Sequence, residues 1–212
     1  MKNNYHWVIL FIGTYCITVY GFVFQSIPPL IKILVKELNI SFAQAGSLME
    51  AFSLPGMIFA LPGGMLADKF GSKKVGMISL LVFSMGTLGI SLSSNYLGFA
   101  IGRFVAGVGA ALLLVIAPLM VTSWFYDKKI GLAMSVFNIS VPLGTILSLN
   151  IIGAIATQFG WRISSWITLI ATLTALFLFS LLYRSRNSSL SSPKKEKQSP
   201  EANNNKTIGL DI

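Results

Sequence analysis

The sequence predicts an all-α membrane protein of six transmembrane helices, and three observations carry that prediction. Of its 212 residues, 54% are hydrophobic and only 11% are charged, with a mean hydropathy of +0.73, whereas soluble domains carry charge on about a quarter of their residues. The chain also divides into six long apolar runs that contain only two charged side chains, Glu50 and Arg103. Finally, the remaining Lys and Arg residues fall between the runs and on alternate sides of them, which is the pattern of a membrane topology.

The first run, Trp7 to Leu30, is too long and too poor in a small-residue cleavage site to be a secretory leader. The second, Ala43 to Ala67, carries Glu50, two prolines and the small residues Gly56, Ala60 and Gly64 spaced by four. Such spacing permits close backbone approach where lipid supplies no hydrophobic drive between helices. The third, Val75 to Leu92, is followed by Ser93 to Asn95, barely a turn, so the fourth, Tyr96 to Trp124, must run antiparallel beside it. The fourth holds Arg103, Pro118 and a second small-residue stripe, Gly102, Ala106 and Ala110. Ile130 to Ala156, with Pro142, and Ile163 to Tyr183 complete the set. A crossing takes about 20 apolar residues, so six of them account for residues 1–184 as one domain. Residues 185–212 are rich in Ser, Asn and Lys and lack an apolar stripe. They read as a disordered polar tail or the start of a connecting loop.

Counting Lys and Arg on alternate sides puts twelve on the side of both termini and three, Lys32, Lys36 and Arg162, on the other. The positive-inside rule then places both termini in the cytoplasm of a multi-pass cell-membrane protein. The net charge of +9 does not indicate nucleic acid, because the basic residues lie in short loops and the tail rather than on one folded face. A single cysteine, Cys16, cannot close an intrachain disulfide, and a single histidine, His6, leaves neither a zinc site nor a histidine-based triad inside the membrane. With no paired carboxylates in the spans either, an enzyme is not expected, and no cofactor or metal is implied.

Between the second and third spans stands Gly63-Gly64-Met65-Leu66-Ala67-Asp68-Lys69-Phe70-Gly71-Ser72-Lys73-Lys74. The order Gly-x-Leu-Ala-Asp-Lys-x-Gly-x-Lys-Lys closely resembles the signature loop of the major facilitator superfamily of secondary transporters. Gly102-Arg103 with Gly107, Gly109 and Pro118 is similar to that family's fourth helix. The stretch from Trp124 to Ala133 is similar to its connection between helices four and five, and Gly160-Trp161-Arg162 to the start of its sixth. Pro142-Leu143-Gly144 matches the fifth-helix antiporter pattern only loosely, so no antiporter is inferred.

The resemblance implies one six-helix bundle of the superfamily type, half of a twelve-helix transporter. It also implies that the signature loop, Gly64, Asp68, Lys69, Gly71, Lys73 and Lys74, takes part in gating, with Asp68 facing the positive end of a helix in the second half. Helices one, four and five border the central cavity in that family. Thr14, Tyr15, Thr18, Tyr20 and Gln25 on the first span, and Asn138, Ser148 and Asn150 on the fifth, are therefore cavity candidates.

Intramembrane charges are costly and mark a pathway or a pair. Glu50 and Arg103 lie at equal estimated depth and are expected to interact, and a buried guanidinium suits carboxylate-like anions. The candidate substrate or proton pathway is accordingly Arg103, Glu50, Tyr15 and Asn138. The expected protein is the N-terminal half of a transporter for a small organic or inorganic anion, working by alternating access. Its expected partners are the small-molecule substrate, membrane lipid, and a second six-helix half or another copy, without nucleic acid. The rival reading is a stand-alone six-helix protein that self-associates as a channel or a non-transporting partner.

Overall fold

The computed structural model describes residues 5–125 and 129–183. Its helices are α1 (Tyr5–Phe24), α2 (Ile31–Glu37), α3 (Phe42–Phe70), α4 (Ser72–Leu92), α5 (Tyr96–Trp124), α6 (Ile130–Asn138), α7 (Ser140–Phe159) and α8 (Trp161–Leu182), with a 3-10 turn at Pro28–Leu30. Among the described residues these make six spans long and apolar enough to cross a membrane, the first comprising α1 and α2 and the fifth α6 and α7. The stretch 185–212 lies outside the described residues.

Proline explains both interrupted spans. A proline has no N–H to offer the carbonyl four residues earlier, and its ring crowds that carbonyl. Pro28 thus strips Phe24 of its helical donor, and α1 ends at Phe24. Pro142 does the same to Asn138, and α6 ends at Asn138 before α7 resumes at Ser140. The first span therefore extends beyond the expected limit of Leu30, reaching Glu37 through α2. Pro55, Pro62 and Pro118 lie inside continuous helices instead.

Elsewhere the ends of helices are set by short-range chemistry. Ser41 and Gln44 form a reciprocal capping box at the start of α3, and the Asn95 side chain accepts from the Gly98 N–H at 2.8 Å to start α5. Two helix junctions have no loop at all. Gly71 (φ 82°) joins α3 to α4, and Gly160 (φ 84°) joins α7 to α8. Both are conformations that L side chains avoid, so glycine is what allows each chain reversal in one residue. The same geometry after the second and the fifth span fits a bundle built from two three-helix repeats.

α5 is the central helix: fourteen of its 29 residues are buried, against six of 29 in α3. Small residues let its neighbours close on it. A Cβ at Gly107 would sit 2.2 Å from the Phe52 carbonyl oxygen of α3, and one at Gly86 of α4 would sit 2.1 Å from the Ala106 nitrogen. The stripe Gly102, Ala106 and Ala110 thus packs as expected. The stripe on the second span does not: a Cβ at Gly56 or Gly64 would meet nothing within 4 Å, and Ala60 is exposed. That face of α3 is uncovered. α7 is buried only at Ser140, Gly144, Ser148, Ile152 and Ala156, a strict four-residue repeat facing α1, and the rest of its circumference is also open. The Tyr5 hydroxyl donates to the Leu182 carbonyl, so the described chain starts and finishes at one end of the bundle.

Candidate functional site

Arg103 is completely buried, and it is built into the break after α1. Its Nη2 donates to the Phe24 carbonyl at 3.2 Å, the carbonyl that Pro28 cannot serve. Nη1 donates to the Val23 carbonyl at 2.9 Å and reaches the Ser26 hydroxyl at 3.5 Å, while Nε donates to the Leu48 carbonyl of α3 at 3.1 Å. The planar fork therefore ties α5 to the carbonyl end of α1 and to α3 in one set of bonds, a geometry that an ammonium would not reproduce.

The expected pair with Glu50 does not form. Leu48 and Phe52 face α5 and are buried, whereas Glu50, two residues beyond Leu48, points about 200° around the helix at ~100° per residue and is exposed. Arg103 does reach α3 close to Glu50 along the helix, at the Leu48 carbonyl, but Glu50 lies on another face. Three backbone carbonyls, the Ser26 hydroxyl and the Phe52 ring surround the Arg103 charge, with no carboxylate partner among the described residues.

The guanidinium lies against the Phe52 ring, 4.7 Å from its centroid. Phe52 in turn meets Phe24 at 5.8 Å and Tyr20 at 6.0 Å, and Tyr20 stacks on Phe24 at 5.9 Å. These three rings border a cleft of about 170 Å³ between α1, α3 and α5. Its lining also includes Ser53 and Gly56 of α3 and Gly107, Ala110 and Ala111 of α5, whose small side chains leave the room. Ser53 Oγ bonds back to the Met49 carbonyl at 3.2 Å. Tyr20 supplies the phenol of the lining. The arrangement is an aromatic wall with two hydroxyls and an unneutralised cation directly behind one ring.

Of the residues singled out in the sequence, Tyr20, Gly56, Gly107 and Ala110 line this cleft, and Arg103 underlies it. Tyr15 does not: its hydroxyl bonds Thr174 Oγ1 at 2.8 Å, in the seam between α1 and α8. Asn138 is exposed at the last position of α6, and Asn150 bonds back to the Ile146 carbonyl at 2.8 Å. Ser148 Oγ, Thr14 Oγ1 and Gln25 Oε1 are buried without a partner among the described residues. Gly64 faces open space, Asp68, Lys69 and Lys74 are exposed, Lys73 is half-buried, and Gly71 makes the reversal. Sequence reasoning passed over Phe24, Phe52 and Ser53. The position of Phe24 four residues before a diproline and the four-residue spacing of Phe52 from Leu48 were available, but nothing local distinguishes these rings from the chain's other 13 phenylalanines.

Comparison with known proteins places this architecture. The hexuronate transporter of Bacillus subtilis (strain 168) is 30% identical over 128 residues, which are 60% of this chain and 30% of that protein. The quinolone resistance protein NorB of Staphylococcus aureus (strain JH9) is 28% identical over 167 residues, 79% of this chain and 36% of its own length. The chain thus spans about a third of the curated relatives it matches. In structure it superposes on the proton:xylose symporter XylE, bound to 6-bromo-6-deoxy-D-glucose, with a TM-score of 0.75 at 19% identity. That superposition covers 85% of this chain and 45% of that one, and it establishes the fold. The family model described as Major Facilitator Superfamily matches residues 13–209, and with six apolar spans in the same arrangement this chain belongs to that superfamily of multi-pass membrane transporters.

Proposed function

We propose that this chain forms one six-helix half of a secondary active transporter that moves a small organic anion of the sugar-acid class by alternating access. The observation that carries the reading is the aromatic cleft backed by Arg103. Flat apolar faces of a ring-shaped substrate stack on Tyr20, Phe24 and Phe52, and its hydroxyls have the Tyr20 and Ser53 oxygens within the same lining. Among the described residues the guanidinium behind Phe52 has no carboxylate to offset it. In a low-dielectric bundle its field reaches the cleft and favours an anion over a neutral sugar or a cation. Arg103 therefore acts through charge and by holding the α1 break in place, rather than by bonding the substrate itself. The hexuronate relative supports the anion, since a hexuronate carries a carboxylate.

The uncovered faces of α3 and of α6–α7 supply the surface against which a second six-helix domain rocks. Gly56, Ala60 and Gly64 give that surface its close-approach stripe, and Asp68 stands at its end, where the positive terminus of a partner helix suits a carboxylate. Glu50 and Asn138 also lie exposed, on α3 and α6, and serve this pathway rather than a pair with Arg103. Lys69 and Lys74 at the same end as the described termini, against Lys32, Lys36 and Arg162 at the other, support a reading with both termini in the cytoplasm.

Reconstitution in liposomes tests the reading, with the oligomeric state measured by crosslinking in parallel. Accumulation of labelled D-glucuronate, and neither D-xylose nor a quinolone, is expected only where a second six-helix half or a second copy is present. Accumulation by a proven monomer would overturn alternating access. Unselective ion conductance by the self-associated chain would support a channel instead. Uptake of xylose in preference to glucuronate would remove the anion.

A further inference from the structure

A second cleft opens at the end of the bundle opposite the described termini, between α2 and the α7–α8 junction. It encloses about 520 Å³ and is lined by Lys32, Ile33, Lys36, Glu37, Ala156, Thr157 and Gly160. Lys32 and Lys36 are one helical turn apart and so share a face of α2.

Helix energetics does not account for that pair. Like charges four residues apart cost a helix a few tenths of a kcal/mol. Lys36 stands in the last turn of α2, where a cation is favourable, but Lys32 stands in the first turn, at the wrong end of the helix dipole. Nor, among the described residues, is either charge held by a bonded counter-charge. The carboxylate of the lining, Glu37, already accepts a hydrogen bond from Trp161 Nε1 at 2.7 Å, and Trp161 is buried beneath it. Arg162, the third cation at this end, turns away: it lies over the Trp161 ring at 4.9 Å and donates to the Ser93 carbonyl at 3.3 Å. Among the described residues neither lysine has an ion-pair or hydrogen-bond partner, and the cleft carries a net positive charge.

We propose that this cleft binds an oxyanion between Lys32 and Lys36, either the carboxylate of a free organic acid or the phosphate of a lipid headgroup. Both sources offer a compact negative group that two ammonium ions on one helix face can flank, and Ile33 and Ala156 supply the apolar side of the lining. The site is separate from the aromatic cleft, on other helices, so its test leaves the substrate reading standing or falling by itself.

The experiment uses the full chain in a neutral detergent and in nanodiscs of phosphatidylcholine with and without phosphatidylglycerol. The thermal midpoint and tryptophan emission are read against added D-glucuronate and inorganic phosphate. The Lys32→Gln/Lys36→Gln double variant is compared with Lys69→Gln/Lys74→Gln at the opposite end, and circular dichroism verifies that both fold. A Phe52→Ala variant isolates any response from the aromatic cleft. The double variant is expected to weaken the response about tenfold, equivalent to about 1.4 kcal/mol shared between two exposed contacts, while the Lys69/Lys74 variant keeps it. A lysine-dependent response to glucuronate or phosphate in detergent assigns a free anion, and one confined to phosphatidylglycerol assigns a headgroup. If no probe gives a response that depends on Lys32 and Lys36, or if the Lys69/Lys74 variant lowers it equally, the proposal is overturned.

Discussion

Replacing Arg103 with methionine separates the two roles a buried guanidinium can have. Methionine keeps most of the volume and the flexible stem but removes every N–H. The Phe24 carbonyl then loses the donor that substitutes for the missing N–H of Pro28, a loss of about 1–2 kcal/mol for a part-buried acceptor left unpaired. The Val23 carbonyl retains the Ser26 hydroxyl at 2.7 Å, so its loss is smaller. The contact with Phe52 contributes about 1–2 kcal/mol more where it is desolvated. Against these stands the relief of no longer burying a charge, which offsets part of the total. The net expectation is a destabilisation of about 2–3 kcal/mol, read from equilibrium unfolding in mixed micelles by tryptophan fluorescence. Arg103→Lys recovers less than half of it, because an ammonium cannot bond α1 and α3 together. Since Glu50 points away, Arg103→Met and Glu50→Gln combine additively within about 0.5 kcal/mol. A methionine variant as stable as the parent, or a coupling above about 1 kcal/mol with Glu50, refutes this account of the site.

Three further outcomes follow from the geometry. Gly71→Ala and Gly160→Ala each lower stability by about 1–3 kcal/mol although nothing crowds Gly71 or Gly160, because the strain lies in the backbone; thermal melts compared with Gly46→Ala, in open space at ordinary φ, check this. Gly107→Ala drives a methyl group into the Phe52 carbonyl and destabilises the bundle by about 1–3 kcal/mol or more, whereas Gly64→Ala does not lower the melting of the chain, since its methyl meets nothing and alanine is the better helix former; equal effects in detergent would contradict the packing described. Cysteines placed at the exposed Lys36 and Lys74 react with impermeant maleimide from outside and inside the cell respectively, with buried Cys16 silent, and labelling of the Lys74 position from outside reverses the proposed orientation.

Six spans, their order and the short turns between them were legible in the sequence, because lipid penalises charge and unpaired backbone so strongly that a long apolar run has few alternatives to a helix. Gly71 could be placed at a turn for similar local reasons. Direction around a helix axis is a different quantity, since it depends on which neighbours each face meets. Glu50 and Arg103 illustrate the difference: depth follows from counting residues along each helix, but only the packing of α3 on α5 shows that Leu48 and Phe52 face the guanidinium and Glu50 does not. The same holds for the two small-residue stripes, identical in spacing, of which one is buried and the other open. The cleft joins Tyr20, Phe52 and Gly107 from three helices far apart in the chain. No local pattern encodes such a meeting, because it is set by how closely backbones approach once every small residue has found its partner.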